Sequence, residues 1–547
     1  MKEFKAKLVF LFVATFLSLP DVSLAQDLAK QLDPIFQKEY PSNGPGAVVL
    51  VAKNGKVLYR NAFGKANLEL DVPMKPENVF ELGSITKQFT AVSILQLMEQ
   101  GKLSLEDPLS KYIPDYPSGD DIKIHHLLNH TSGIKSYTDI PSFQDLARND
   151  MTPTELIAVT KNEPMDFSPG EKYKYNNSAY ILLGFLIENI AGVSYEDYIQ
   201  KNILTPLGMK NSFYGSKSKL IPNRASGYQA FGDGYKNADY LSMTLPYAAG
   251  SLMSTVDDML LWNQAIHNNT LISEKSKQLA FSNYKRNDGK PIYYGYGWAV
   301  NEIAGTPTLE HGGGIFGYTT SGVFAPKENL YVIVLTNTTA KSPDNLALQA
   351  MAAVINKQLT REAITLTEKE HQQWTGAYQF DDVARFITFE NGTLYSRRDG
   401  GEKIKLIPVG KNNYQFEDSY TTYNFRNENG KRIAEMADRI VKSKGIESNI
   451  KPTEEKQGIT LDPELLSSYE GTYELAAGFE IVVTRENNSI FGQATGQPKF
   501  ELFAESPDSF FLKAVPAKVV FNKDSTGKIE SLTLLQGGQE IKGKKTK

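Results

Sequence analysis

The chain contains no cysteine. Disulfides, thiolate nucleophiles, cysteine zinc sites and a lipid-modified amino-terminal cysteine are therefore excluded. It also lacks a strong charge of either sign, because 59 Lys and Arg offset all but four of 63 Asp and Glu. That balance argues against nucleic acid or an anionic membrane surface as a main partner. Beyond the first 25 residues, no apolar run approaches the roughly 20 residues that a membrane span needs. The histidine cluster Ile124-His-His-Leu-Leu-Asn-His130 has no carboxylate in an H-E-x-x-H arrangement. Neither a metal nor a cofactor is expected. A helix end closed by Gly133, with His130 hydrogen-bonded within a loop, accounts for that cluster.

What the chain does have is size and an apolar fraction of 41% over 547 residues, enough for several cores and for two to four domains. Its start has a signal-peptide layout. Lys2, Lys5 and Lys7 precede the apolar run Leu8 to Leu19, and Ser23-Leu24-Ala25 offers small residues before Gln26. Residues 1–25 are thus expected to be removed, leaving a periplasmic or secreted protein without a membrane span.

The next elements are a helix from Asp27 to Tyr40 and two strands, 47–53 and 56–62, joined by the hairpin dipeptide Asn54-Gly55. Glu81-Leu-Gly-Ser-Ile-Thr-Lys-Gln-Phe-Thr90 then opens a helix that runs to Gln100 and stops at Gly101. Ile85, Phe89, Val92, Leu95 and Met98 recur at the spacing of one buried face. Ser84 sits at the helix start, and Lys87 lies one turn later on nearly the same face. A serine hydroxyl needs a base, and a lysine whose pKa falls on burial can be one. Ser-x-x-Lys also occurs at Ser132, Ser216, Ser282, Ser448 and Ser525, but none of those opens a long apolar-periodic helix.

Two further stretches carry chemistry. Phe167-Ser-Pro-Gly170 turns the chain ahead of Tyr175-Asn-Asn177, and a helix follows from Ser178 to Ala191. Tyr175 can relay protons, and Asn177 can orient an amine or a substrate carbonyl. Tyr235-Lys-Asn237 repeats this pattern, so the motif has meaning only in company. Leu309-Glu-His-Gly-Gly-Gly314 places three glycines at the start of a strand, which points to close approach by a ligand or another backbone. Strands are expected at 292–300, 317–325 and 330–336, and a helix at 344–359. After residue 360 short strands and turns repeat: Trp374-Thr-Gly-Ala-Tyr378 recurs as Tyr469-Glu-Gly-Thr-Tyr473. Two small all-β units are expected, joined by the polar stretch Ile446 to Gly458.

In order and spacing, Ser84-Ile-Thr-Lys87, Tyr175-Asn-Asn177 and His311-Gly-Gly313 resemble the three active-site elements of the serine β-lactamase and penicillin-binding-protein-like family, class C branch. Leu127-Leu-Asn-His-Thr-Ser-Gly133 and Phe167-Ser-Pro-Gly170 resemble it too, so the likeness spans residues 27 to 358. The resemblance implies a β-lactamase/transpeptidase-like α/β domain (26–360), with a five-stranded antiparallel sheet between helices. Two barrel-like domains would follow, 361–450 and 459–547. It implies that Ser84 is acylated, that Lys87 and Tyr175 handle its proton, and that Asn177 positions Lys87 or substrate. The N–H groups of Ser84 and Gly314 would form an oxyanion hole, with His311 and Gly313 beside the substrate. In β-lactamases and transpeptidases the third motif begins with a lysine that holds a carboxylate. His311 stands in its place here, as in D-aminopeptidase, esterase and amide-hydrolase members. An exported hydrolase of small esters, amides or peptides is therefore expected. A β-lactamase or D-alanyl-D-alanine carboxypeptidase is the alternative, and a penicillin-recognising sensor without turnover is the alternative outside catalysis.

Overall fold

The computed structural model describes residues 20–547 apart from 141, 233, 382, 400, 418, 453–457, 477–478, 496–498, 514–516 and 537–538. Residues 1–19 of the expected signal segment lie outside the described residues. Six strands form one antiparallel sheet: β1 (Ala47–Lys53), β2 (Lys56–Phe63), β3 (Ala299–Ile303), β4 (Thr306–Ile315), β5 (Tyr318–Ala325) and β6 (Leu330–Thr336). Their order is β3-β4-β5-β6-β1-β2, so both ends of this region build it. β1 and β6 are near-continuous apolar runs, and their register, from Ala47 opposite Thr336 to Lys53 opposite Leu330, buries them at the sheet centre. Asn54 and Gly55 both have positive φ (51° and 77°), as the tight β1–β2 turn demands.

The sheet has one strand more than the five expected, for two reasons. Residues 292–298 are not a strand, because positive φ at Tyr293 (57°) and Gly297 (85°) fold them into an irregular loop. The glycine-rich stretch expected ahead of a strand is itself the end of one, β4. Helices cover both faces. α1 (Pro20–Glu39) and α5 (Asp344–Val354) pack on one side, where Phe36 stacks on Phe63 at 5.3 Å. On the other lies α4 (Val256–His267), whose first-turn Asp257 pairs with Arg60 of β2 at 2.6 Å.

α2 (Thr86–Glu99) is not the one-faced helix its periodicity suggested. Eleven of its fourteen residues are buried, so polar side chains all round it need partners. They have them: Thr90 Oγ1 donates to the Ala248 carbonyl (2.6 Å), Gln88 Oε1 accepts from the Trp262 indole (3.1 Å), and Thr86 Oγ1 accepts from Leu252 N (3.0 Å). α3 (Asn177–Ala191) starts at an Asn176 cap that accepts from Ala179 N (2.9 Å), and it ends at Gly192 with φ 70°.

Two closed eight-stranded antiparallel barrels follow, spanning Gly376–Ser448 and Gly471–Lys545. The repeated motif has one job in both. Tyr378 Oη donates to the Trp374 carbonyl (2.9 Å), and Tyr473 Oη donates to the Tyr469 carbonyl (2.7 Å). The intervening Gly376 and Gly471 hold φ of 141° and 150°, which a side chain would resist. The final strand of the first barrel runs to Ser448, so the connection is shorter than the stretch 446–458 suggested. By internal contacts the chain divides into two compact units. One comprises residues up to 135, 150–227 and 242–359; the other comprises 136–149, 228–241 and 360–547. The segments 136–149 and 228–241 thus belong to the same unit as the barrels, although they interrupt the first in sequence.

Candidate active site

Ser84 occupies a single turn of 3-10 helix (Gly83–Ile85) that feeds α2, which puts Lys87 one turn further on. Lys87 is wholly buried. Its Nζ lies 3.1 Å from Ser84 Oγ, 2.8 Å from Asn177 Oδ1 and 2.9 Å from the Ala249 carbonyl oxygen. Burial pushes its amine well below the ordinary lysine value. A neutral amine has two hydrogens and one lone pair. In that neutral form the oxygens of Asn177 and Ala249 can accept both hydrogens, which leaves the lone pair for the Ser84 hydroxyl.

Tyr175 closes one side of this group. Its ring centroid lies 4.8 Å from Lys87 Nζ, 6.1 Å from the His311 ring and 4.3 Å from the His130 ring. His311 is almost fully buried, at 6% exposure, and both of its nitrogens are engaged within the protein. Nδ1 sits 2.6 Å from the Gly312 carbonyl and must donate to it, so Nε2 accepts from Tyr294 Oη at 2.9 Å. Burial, reinforced by nearby Lys87, pulls its pKa down to about 4. The imidazole is therefore neutral at ordinary pH, but it has no free nitrogen with which to take a substrate amine.

The glycines of the third motif answer another backbone. A Cβ on Gly313 would overlap the Leu82 carbonyl oxygen and Thr320 Oγ1, and Thr320 Oγ1 itself donates to that carbonyl at 2.8 Å. Gly83, at φ 55°, lies so near β4 that a Cβ there would stand 3.0 Å from Gly314 N. Gly314 is exposed, with open space where its Cβ would go. The end of β4 is thereby fixed beside the Ser84 turn, and the two backbone amides named for an oxyanion hole, those of Ser84 and Gly314, belong to neighbouring segments.

All seven residues singled out in the sequence (Ser84, Lys87, Tyr175, Asn177, His311, Gly313 and Gly314) converge here. Three participants were not read there. Tyr294 comes from the aromatic and glycine alternation Ile292-Tyr-Tyr-Gly-Tyr-Gly-Trp298, which imitates a strand. Ala249 contributes only a carbonyl, which no sequence pattern reveals. His130 lies in a loop, as expected, but its place at the site was not expected; the helix ahead of it stops at Leu128, short of Gly133, and His130 has a left-handed backbone (φ 62°). Its Nδ1 and that of His126 accept the amides of Asn176 and Lys123, each at 3.1 Å.

This is the architecture and side-chain constellation of a serine hydrolase of the β-lactamase type. The Beta-lactamase family model matches residues 36–355, and the chain belongs to the serine β-lactamase and penicillin-binding-protein-like family. A domain of unknown function, DUF3471, matches residues 455–545, the second barrel. Among curated proteins, penicillin-binding protein 4* of Bacillus subtilis is 29% identical over 421 residues, covering 72% of this chain and 92% of that protein. Protein flp of Staphylococcus aureus is 27% identical over 363 residues, covering 64% and 71%. Among solved structures, the octameric penicillin-binding protein homologue from Pyrococcus abyssi superposes with a TM-score of 0.54 at 27% identity, covering 77% of this chain and 99% of that one. D-amino acid amidase from Ochrobactrum anthropi SV3 gives 0.54 at 22% identity, covering 60% and 99%, a likeness of fold.

Proposed function

We propose that this protein is an exported hydrolase that cleaves uncharged esters or amino-terminal amides, esterase-like or D-aminopeptidase-like, through an acyl-enzyme on Ser84. The observation that carries the reading is the buried Lys87 amine, whose Nζ lies 3.1 Å from Ser84 Oγ, 2.8 Å from Asn177 Oδ1 and 2.9 Å from the Ala249 carbonyl oxygen. Lys87 takes the hydroxyl proton as Ser84 Oγ attacks the substrate carbonyl. The oxyanion forms between the N–H groups of Ser84 and Gly314, a contribution that in such sites is worth about 3–4 kcal/mol per donor. The proton passes through Lys87 and the Tyr175 phenol to the leaving group, and the C–O or C–N bond breaks. Water then releases the acyl group by the reverse route.

Substrate preference rests on the absence of a cation from the position where transpeptidases use lysine. A neutral imidazole, tied to Tyr294 and Gly312, offers a carboxylate no charge. The D-amino acid amidase of like fold agrees with an amide substrate. Export rests on the amino-terminal layout. Leu28, Leu32 and Phe36, buried side chains of α1, all lie beyond residue 25, so removal of residues 1–25 leaves them in the chain. Treatment of the purified protein with a fluorophosphonate, followed by intact mass and peptide mapping, tests the central claim. One adduct on Ser84 is expected; an adduct on Ser132, or one that survives Ser84→Ala, overturns it.

A further inference from the structure

The segment that carries Tyr175 and Asn177 is fastened on both sides of Tyr175 to one residue the reaction scheme does not use. Lys174 N–H donates to the His130 carbonyl oxygen at 3.1 Å, and Asn176 N–H donates to His130 Nδ1 at 3.1 Å. The imidazole stands 4.3 Å from the Tyr175 ring between those two bonds. Its other neighbours are Tyr294 at 4.8 Å, Tyr180 at 5.2 Å and Tyr173 at 6.2 Å, again between ring centroids.

His130 bears two costs that packing alone does not explain. Its backbone lies at a positive φ of 62°, a region that non-glycine residues adopt in only a few per cent of cases, histidine more often than most. Because Nδ1 accepts, Nε2 carries the hydrogen, and that buried N–H finds no hydrogen-bond partner among the described residues. The side chain is fully buried, and burial together with Lys87 and His311 holds the ring neutral. Asparagine would tolerate this backbone better, and an aliphatic side chain would fill the space without an orphaned N–H. What the imidazole combines is an acceptor for Asn176 N–H and a ring packed at 41° against that of Tyr175.

We propose that His130 is a positioning residue for the reaction, fixing the Tyr175 phenol and, through the Asn176 cap, the Asn177 amide against Lys87. The inference rests on the proposed roles of Ser84, Lys87 and Tyr175. It assigns no proton transfer to His130, which acts through Tyr175 and its segment.

Two replacements separate this role from simple packing. Asparagine can put Oδ1 close to where Nδ1 sits and accepts the same amide; phenylalanine fills the ring volume but accepts nothing. His130→Phe should lower kcat for a simple aryl ester by about 10- to 100-fold, the scale on which a displaced catalytic group acts, with KM changed less than about threefold. His130→Asn should restore kcat to within about fivefold of wild type, since geometry is what is lost. In a Tyr175→Phe background, His130→Phe should cost less than about twofold more, because residues acting as one unit do not add. Wild-type kcat in His130→Phe, equal impairment of the Asn and Phe variants, or full additivity in the Tyr175→Phe background would each overturn the proposal. If the Phe variant does not fold, a folded His130→Asn that loses as much activity as Tyr175→Phe overturns it as well. Fluorophosphonate labelling of Ser84 in the wild-type protein, measured alongside, reports separately on the underlying reading.

Discussion

Gly313 abuts Leu82 so closely that any side chain at position 313 would overlap the Leu82 carbonyl oxygen. The contact ties β4 to the turn that presents Ser84, and the neighbouring Gly314 has no such constraint. Gly313→Ala should therefore displace one segment from the other. A shift of about 1 Å can cost about 100-fold in rate, so Ser84 labelling by a fluorophosphonate should slow by that order. Gly314→Ala keeps its backbone N–H, meets open space and should label within about threefold of wild type. Equal labelling rates for the two variants would mean that the contact does not set the geometry of the site.

The buried Lys87 also leaves a mark on stability. In the unfolded chain its amine holds a proton up to about pH 10.4. In the native protein burial drives that proton off at a lower pH. Between the two values the unfolded state binds more protons, so Lys87 makes stability rise with pH across that window. Lys87→Met removes the effect. Wild type should gain stability relative to this variant between pH 7 and pH 10, read from urea midpoints at each pH. A constant difference across that range would mean that Lys87 is charged in the native protein.

Much of this site was readable because its chemistry lies in short, ordered motifs with local geometry. Ser84 and Lys87 are one helical turn apart, so their meeting follows from the chain alone, and α3 begins within one residue of the expected start at Ser178. The unread parts lack a local signature. Tyr294 reaches His311 from a loop whose shape depends on positive φ at Tyr293 and Gly297, and its alternating apolar pattern is that of a strand. The all-round burial of α2 has no local signature either, because the partners that satisfy its polar Thr86, Gln88 and Thr90 come from distant segments. His130 was assigned to a loop correctly but by local reasoning. Its contact with Asn176 spans 46 residues.

The division into two units gives a prediction about the tail. Every side chain named at the site lies in the first unit, whereas 136–149 and 228–241 belong with the barrels. A fragment of residues 27–359 should still label at Ser84. It should also be cut by trypsin within 136–149 or 228–241 at sites the full chain protects, since those segments would lack the rest of their unit. A fragment that labels and resists trypsin there would show that these segments hold their structure without the barrels. An unreactive fragment would show that the barrels are needed to form the site.

The last prediction concerns charge at His311. Its Nδ1–H is held by the Gly312 carbonyl and its Nε2 by the Tyr294 hydroxyl, so protonation would cost the Tyr294 bond as well as desolvation. With a pKa pulled down to about 4, the ring is neutral from pH 5.5 to pH 8. A carboxylate beside the scissile bond would then gain no charge from position 311, whereas an ester or an amino-terminal amide does not depend on one. Simple esters or D-amino acid amides should thus have a higher kcat/KM than a cephalosporin. The ratio should stay flat across that pH range, because His311 does not titrate within it. His311→Lys should narrow the ratio by bringing in a permanent charge, while Tyr294→Phe should leave the preference in place, since it removes no charge. A cephalosporin turned over as efficiently as the best ester by the wild-type protein, or a ratio that collapses as pH falls from 8 to 5.5, would contradict the assignment of His311 as a neutral, internally bonded wall.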